Sequence, residues 1–218
     1  MATPQITTRL SPNCGPRRDG LRPALVVLHY TAMHSAEAAI TRLCDPQAEV
    51  SAHYLISVAG AVTQLVPEDK RAWHAGAGSW HGQDDINSRS IGIELDNSGG
   101  HPFPEPQMAA LETLLSGIMH RWSIPPAGVI GHSDMAPGRK IDPGPHFDWA
   151  RLARQGLAAR PAAQTPATLD EHSFATCAHA AGYPQDTPFK TLLATTRLRT
   201  APWRRGPLTL ADYTLPSN

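Results

Sequence analysis

Cysteine is scarce in these 218 residues: there are three, Cys14, Cys44 and Cys177, and no Cys-x-x-Cys pair. An odd count at wide spacing excludes a disulfide framework and a cysteine-rich zinc site. It fits buried free thiols in a reducing compartment. No charge of one sign prevails either, since 19 Lys and Arg face 19 Asp and Glu. A chain without a basic stripe does not neutralise phosphates, so nucleic acid is excluded as a partner. No run approaches the ~20 apolar residues that span a bilayer, and no membrane span is expected. Met1 to Arg22 hold no apolar stretch of the export-signal kind, so the expected location is the cytoplasm. Internal repeats, low-complexity tracts and charge runs are absent.

Proline and glycine are plentiful, at 21 and 17 residues, and imply many loops. The hydrophobic share of 41% is that of an ordinary globule. The length suits one domain with an appendage or two small domains. Residues 1–23 read as an extended arm. Ala24 to Leu28 form a continuous apolar run, as in a central strand buried on both faces, ending at His29. Ser35 is placed to cap a helix through about Cys44, whose Ala36, Ala39, Ile40 and Leu43 keep the helical period. His53–Val58 and Val62–Val66 flank Ala59-Gly60-Ala61 and predict a hairpin. Residues 67–89 read as a binding loop, with Trp73, His74, Trp80 and His81 among glycines. In Ser90–Leu95, Ile91, Ile93 and Leu95 share one face, which leaves Gly92 and Glu94 on the other. Pro104 to Trp122 carry one apolar stripe and predict a long helix.

Val129-Ile130 then leads into Gly131–Gly144, read as a long irregular loop. A helix is expected from about Asp148 to Gly156. Residues 160–168 read as a linker after a first domain of 1–159. Beyond it, at 169–218, short helices are expected over 171–181, 188–196 and 207–214. This pattern predicts an α/β fold: a mixed central β-sheet flanked by helices, with a small C-terminal helical appendage.

Sites in open α/β sheets lie outside the carboxyl ends of strands. His29 and His132 each follow a strand, and Asp142 lies in a loop able to fold back. Two histidines and a carboxylate leave a fourth position open, as at a catalytic zinc. From spacing alone other readings stay open. His53, His74, His81 and His146 also qualify, Asp142 also reads as a turn former before Pro143, and Lys140 as a solvated surface residue. Glu94 stands out, because a carboxylate within an apolar strand needs a polar partner or a cleft.

Three blocks narrow the choice: His29-Tyr30-Thr31-Ala32, Ser90 to Asn97, and Gly131 to Gly144. Together they resemble the zinc-dependent N-acetylmuramoyl-L-alanine amidases of the AmpD/AmiD type, relatives of the peptidoglycan recognition proteins. The resemblance runs from about residue 20 to 158. It implies Zn2+ as cofactor with His29, His132 and Asp142 as ligands, Glu94 as catalytic acid/base, and Lys140 beside the developing oxyanion. It places Trp73, His74 and Asn97 at the substrate cleft. Some relatives use a tyrosine near the first hairpin strand, where this chain has Ala52, so the role falls to Glu94. The implied substrate is a peptidoglycan fragment, a muropeptide, cut between the lactyl group of N-acetylmuramic acid and L-alanine. The tail stands where AmiD-type relatives carry a peptidoglycan-binding-like domain, and Ala180-Ala181-Gly182-Tyr183 is similar to its turn. A muropeptide-recognition module without catalysis and a zinc hydrolase of another amide are the competing readings.

Overall fold

The computed structural model describes residues 6–217. Residues 1–5 of the expected arm, and residue 218, lie outside the described residues. The first described residues of the arm are strands: β1 (Ile6–Thr8) and β2 (Cys14–Pro16). The central elements follow as β3 (Leu25–Tyr30), α1 (Ala36–Cys44), β4 (Tyr54–Ile56), β5 (Val62–Gln64), β6 (Lys70–Ala72), α2 (Ile86–Arg89) and β7 (Ser90–Leu95). Next come α3 (Glu105–Trp122), β8 (Val129–Gly131), α4 (His132–Met135) and α5 (Trp149–Arg154). The tail holds β9 (Pro161–Ala163), α6 (Glu171–Ala180), α7 (Phe189–Thr200) and β10 (Thr214–Pro216).

The main sheet has six strands in the order β1-β5-β4-β7-β3-β8. Only the β4–β5 hairpin is antiparallel, and every other pair is parallel. The sheet is therefore mixed, as expected. Gly60 makes the hairpin turn possible with φ +83°. At Ser35 the side chain accepts the Ala38 N–H and starts α1.

Alternation along the strands divides the sheet into two faces. Val26, Leu28, Ile91, Ile93 and Leu95 pack against Met108, Leu111, Leu115 and Ile118 of α3. On the other side Leu55 packs under Ala39, Ile40 and Leu43 of α1. Val27 and Ile130 on that side share a core with Met135, Phe174, Leu192 and Tyr213. The tail thus packs its apolar face directly behind α4, because helices this short bury too little surface to hold together alone.

Several segments differ from expectation. The loop at 131–144 opens with a helical turn, α4, since Asp134 Oδ2 accepts the Gly131 N–H and satisfies its start. The loop at 67–89 contains β6, paired with β2, and the short α2. The segment read as a linker contains β9, which pairs with β10. Residues 207–214 form one 3-10 turn, Leu210–Tyr213, before that strand, where a helix was expected. Cys14, Cys44 and Cys177 are free but half-buried, not fully enclosed.

His53 is fully buried below the hairpin. Its Nδ1 accepts the Gly92 N–H at 3.0 Å, and its Nε2 donates to the Lys70 carbonyl at 3.1 Å. The Gly92 N–H needs a lone pair on Nδ1 and so requires the neutral ring, and burial pushes the His53 pKa down to about 3. An unfolded chain takes up this proton near pH 6.5 while the folded chain refuses it. Stability is therefore complete above about pH 6.5 and falls as the pH drops toward 3, by up to about 1.4 kcal/mol per unit. His53→Asn keeps an acceptor for Gly92 but cannot titrate. Denaturant midpoints at several pH values between 7 and 4 should fall less steeply for the variant; parallel slopes would contradict the assignment.

Candidate metal centre

His29 is the fifth of six residues of β3, inside the strand where a place just after it was expected, and it pairs in register with Glu94 of β7. Parallel neighbours in register point the same way, so both side chains leave the sheet on the α1 side. His132 begins α4 directly after β8, whose Gly131 pairs with Leu28. The two histidines therefore stand side by side at the carboxyl ends of adjacent strands. Asp142 returns to them because its carbonyl accepts the Ser133 N–H at 2.9 Å.

The convergence is tight. His29 Nδ1 lies 2.9 Å from both His132 Nδ1 and Asp142 Oδ2, and His132 Nδ1 lies 3.1 Å from the same oxygen. All three residues are buried. His132 Nε2 donates to the Ala75 carbonyl at 2.8 Å, so its Nδ1 carries a lone pair free for a cation. Two imidazole nitrogens and an anionic oxygen facing one point form a donor set for a divalent cation with nitrogen and oxygen ligands. The electrostatics agree. Burial, and then His132, push the His29 pKa down to about 4. Burial alone would raise Asp142, but the two imidazoles beside its Oδ2 hold it well below the usual carboxylate range.

Glu94 is the second feature of the site. Its Oε2 is buried without a hydrogen-bond partner. Burial first, and the Asp142 charge second, push its pKa up to about 8, with Lys140 opposing. Both Glu94 and Lys140 line a cleft of about 770 Å3 that also contains the three convergent residues. The side chain of Lys140 makes no ion pair among the described residues.

The remaining expected residues divide. Trp73 lines the cleft, as do Tyr30, Met33 and Arg42 at its rim. The sequence reading missed Met33 and Arg42; Arg42 stands one position before Leu43 of the inward face of α1, a signal visible only once that face is known. His74 also borders the cleft, yet its Nδ1 lies 3.0 Å from His29 Nε2 and its main chain is braced by Asn87 Oδ1. Asn97 does not line the cleft. It is buried, accepts the Gly99 N–H at 2.7 Å and donates to the His101 carbonyl, so it braces the turn after β7. Ala52 is fully buried, with no hydroxyl to offer. Arg139, also missed, donates to the Ala75 and Ala77 carbonyls and ties the 73–78 loop to the loop carrying Asp142.

Comparison with known proteins supplies the context. A family model described as N-acetylmuramoyl-L-alanine amidase (Amidase_2) matches residues 19–145. The N-acetylmuramoyl-L-alanine amidase AmiD of Escherichia coli (strain K12) is 42% identical over 159 residues, which is 66% of this chain and 56% of that protein. The chain thus spans just over half the length of that relative. The 1,6-anhydro-N-acetylmuramyl-L-alanine amidase AmpD of Citrobacter freundii is 37% identical over 159 residues, 65% of this chain and 85% of that protein. Among solved structures, E. coli AmiD in complex with the substrate anhydro-N-acetylmuramic acid-L-Ala-D-γ-Glu-L-Lys superposes with a TM-score of 0.78 at 33% identity. That match covers 94% of this chain and 89% of the other, tail included.

Proposed function

The chain belongs to the N-acetylmuramoyl-L-alanine amidase family, and from that premise we propose that it hydrolyses the amide between the lactyl group of N-acetylmuramic acid and L-alanine in muropeptides. The observation that carries this reading is the meeting of His29 Nδ1, His132 Nδ1 and Asp142 Oδ2 beside an unpartnered Glu94 carboxyl in one cleft. The 1,6-anhydro form is the favoured substrate, since AmpD relatives are named for it and AmiD was solved with such a ligand. Soluble anhydromuropeptides suit a cytoplasmic recycling step, and no described helix is long and apolar enough to cross a membrane.

The cofactor in this reading is zinc, held by His29, His132 and Asp142. When bound, it supplies Lewis-acid chemistry and brings the pKa of water toward ~7. Glu94 accepts a proton from the attacking water and returns it to the departing L-alanine amine. A carboxyl pushed up by burial is suited to both transfers, since it neither holds nor refuses its proton strongly at neutral pH. Lys140 supplies a positive charge to the tetrahedral oxyanion; such contacts typically contribute about 2.7–4 kcal/mol to the barrier. Trp73, Met33 and the α1 wall exclude water from one side of the cleft.

Mass spectrometry of products from a defined anhydromuramyl tripeptide tests the reading. We expect free anhydro-N-acetylmuramic acid and a peptide beginning with L-alanine. Treatment with a chelator should abolish turnover, and stoichiometric zinc should restore it. Sugar and peptide that stay joined would favour a recognition module, and a cut further along the stem would favour another amide.

A further inference from the structure

Gly92 lies inside β7 without the positive φ that calls for glycine. Its reason is space. A Cβ at this position would stand 2.5 Å from the His74 ring. The strand omits a side chain where that imidazole lies against it, and the ring is then enclosed between β7, His53 and His29.

The hydrogen bonds around this ring run in one direction. Ser90 Oγ donates its single proton to the Ile86 carbonyl at 2.6 Å, an acceptor with no proton of its own. Toward His74 Nε2, at 3.2 Å, Ser90 Oγ is then left only to accept. The His74 proton therefore sits on Nε2, and in an uncharged imidazole Nδ1 is an acceptor. Its partner, His29 Nε2 at 3.0 Å, must donate. That leaves His29 Nδ1 with a lone pair, aimed at the point it shares with His132 and Asp142.

We propose that His74, anchored by Ser90 and given room by Gly92, is a positioning residue for the metal centre: it holds His29 in the Nε2–H tautomer and in the orientation that presents Nδ1 as a ligand. The inference rests on the zinc reading above. His74 then acts through His29 and is not a substrate contact. Partners that orient ligating histidines typically change metal affinity 10–100-fold when removed.

Zinc dissociation constants of the full chain, measured by competition with a chromophoric chelator, test this. His74→Ala and Gly92→Ala should each bind zinc 10–100-fold more weakly than the parent. His74→Asn should recover most of the loss, because its Oδ1 can still accept from His29 Nε2. At saturating zinc, His74→Ala should regain turnover with an unchanged KM for the muropeptide. The proposal is overturned if His74→Ala binds zinc as tightly as the parent, if His74→Asn is as weak as His74→Ala, or if KM stays raised at saturating zinc. Gly92→Ala adds a variant that leaves every hydrogen-bonding group in place. A parent chain that binds no zinc would instead remove the metal reading itself.

Discussion

Glu94→Gln is expected to lower kcat by about 10^2–10^4-fold, the usual contribution of a positioned acid/base group, while leaving bound zinc unchanged. Glutamine keeps the shape and both heavy-atom positions but neither takes nor gives a proton. In the native chain Glu94 lines the cleft and its Oε2 is buried without a hydrogen-bond partner, an arrangement that costs stability and calls for an explanation in function. The carboxyl is separate from the convergent trio, so its replacement should leave the metal content intact. Single-turnover kinetics together with zinc stoichiometry would show both effects. A variant with near-parental kcat would end the role assigned to Glu94; one that loses zinc would make it part of the metal shell.

The second large effect lies outside the cleft. Arg199→Met is expected to destabilise the fold by about 3–5 kcal/mol, the range for breaking one side of a buried ion pair. Arg199 reaches from α7 to Asp134 Oδ2 at 2.6 Å, donates to the Val129 carbonyl at 3.2 Å and stacks 4.0 Å from the Trp149 ring. Asp134 is itself buried, accepts the Gly131 N–H and accepts the Tyr183 hydroxyl at 3.2 Å. Removing the guanidinium leaves that carboxylate charged with no counter-ion. The double variant Asp134→Asn with Arg199→Met should recover part of the loss, because the orphaned charge is gone. By contrast, Arg9→Ala at the exposed Arg9–Glu37 pair should leave stability nearly unchanged. Denaturant unfolding measures all three. A loss below about 1 kcal/mol for Arg199→Met would show that the pair is solvated in practice. Since α4 begins with His132, this pair also ties the tail to the turn that carries a proposed metal ligand.

Much of the fold was legible in the chain. Continuous apolar residues marked β3, alternation marked β7, and the 3.6-residue stripe marked α3, because those periods record which faces are buried. Ser35 announced α1, and Gly60 announced the hairpin. Four of the short strands were not legible. β1, β2, β9 and β10 are three residues each, with partners 50 or more residues away in sequence. Three residues carry no period, and pairing supplies what local sequence lacks. The turn at α4 was hidden for a similar reason, since its start depends on one side chain reaching back to Gly131.

At the site the division is similar. The residue types in the three blocks, read against a family, named His29, His132, Asp142, Glu94 and Lys140, and the structure brings all five to one cleft. Trp73 also lines it. Sequence alone determined which groups with titratable or ligating chemistry are available, and on which strand ends and loops they sit. Only the tertiary structure decided the company each one keeps. It turned Asn97 away to brace a loop, set His74 behind His29, buried Glu94 Oε2 without a partner, and put Arg199 behind the turn that holds His132. The physical reason is that hydrogen-bond direction, desolvation and charge pairing depend on distances of a few ångströms between residues far apart in the chain. Residue order records the groups and their local spacing; packing sets those distances.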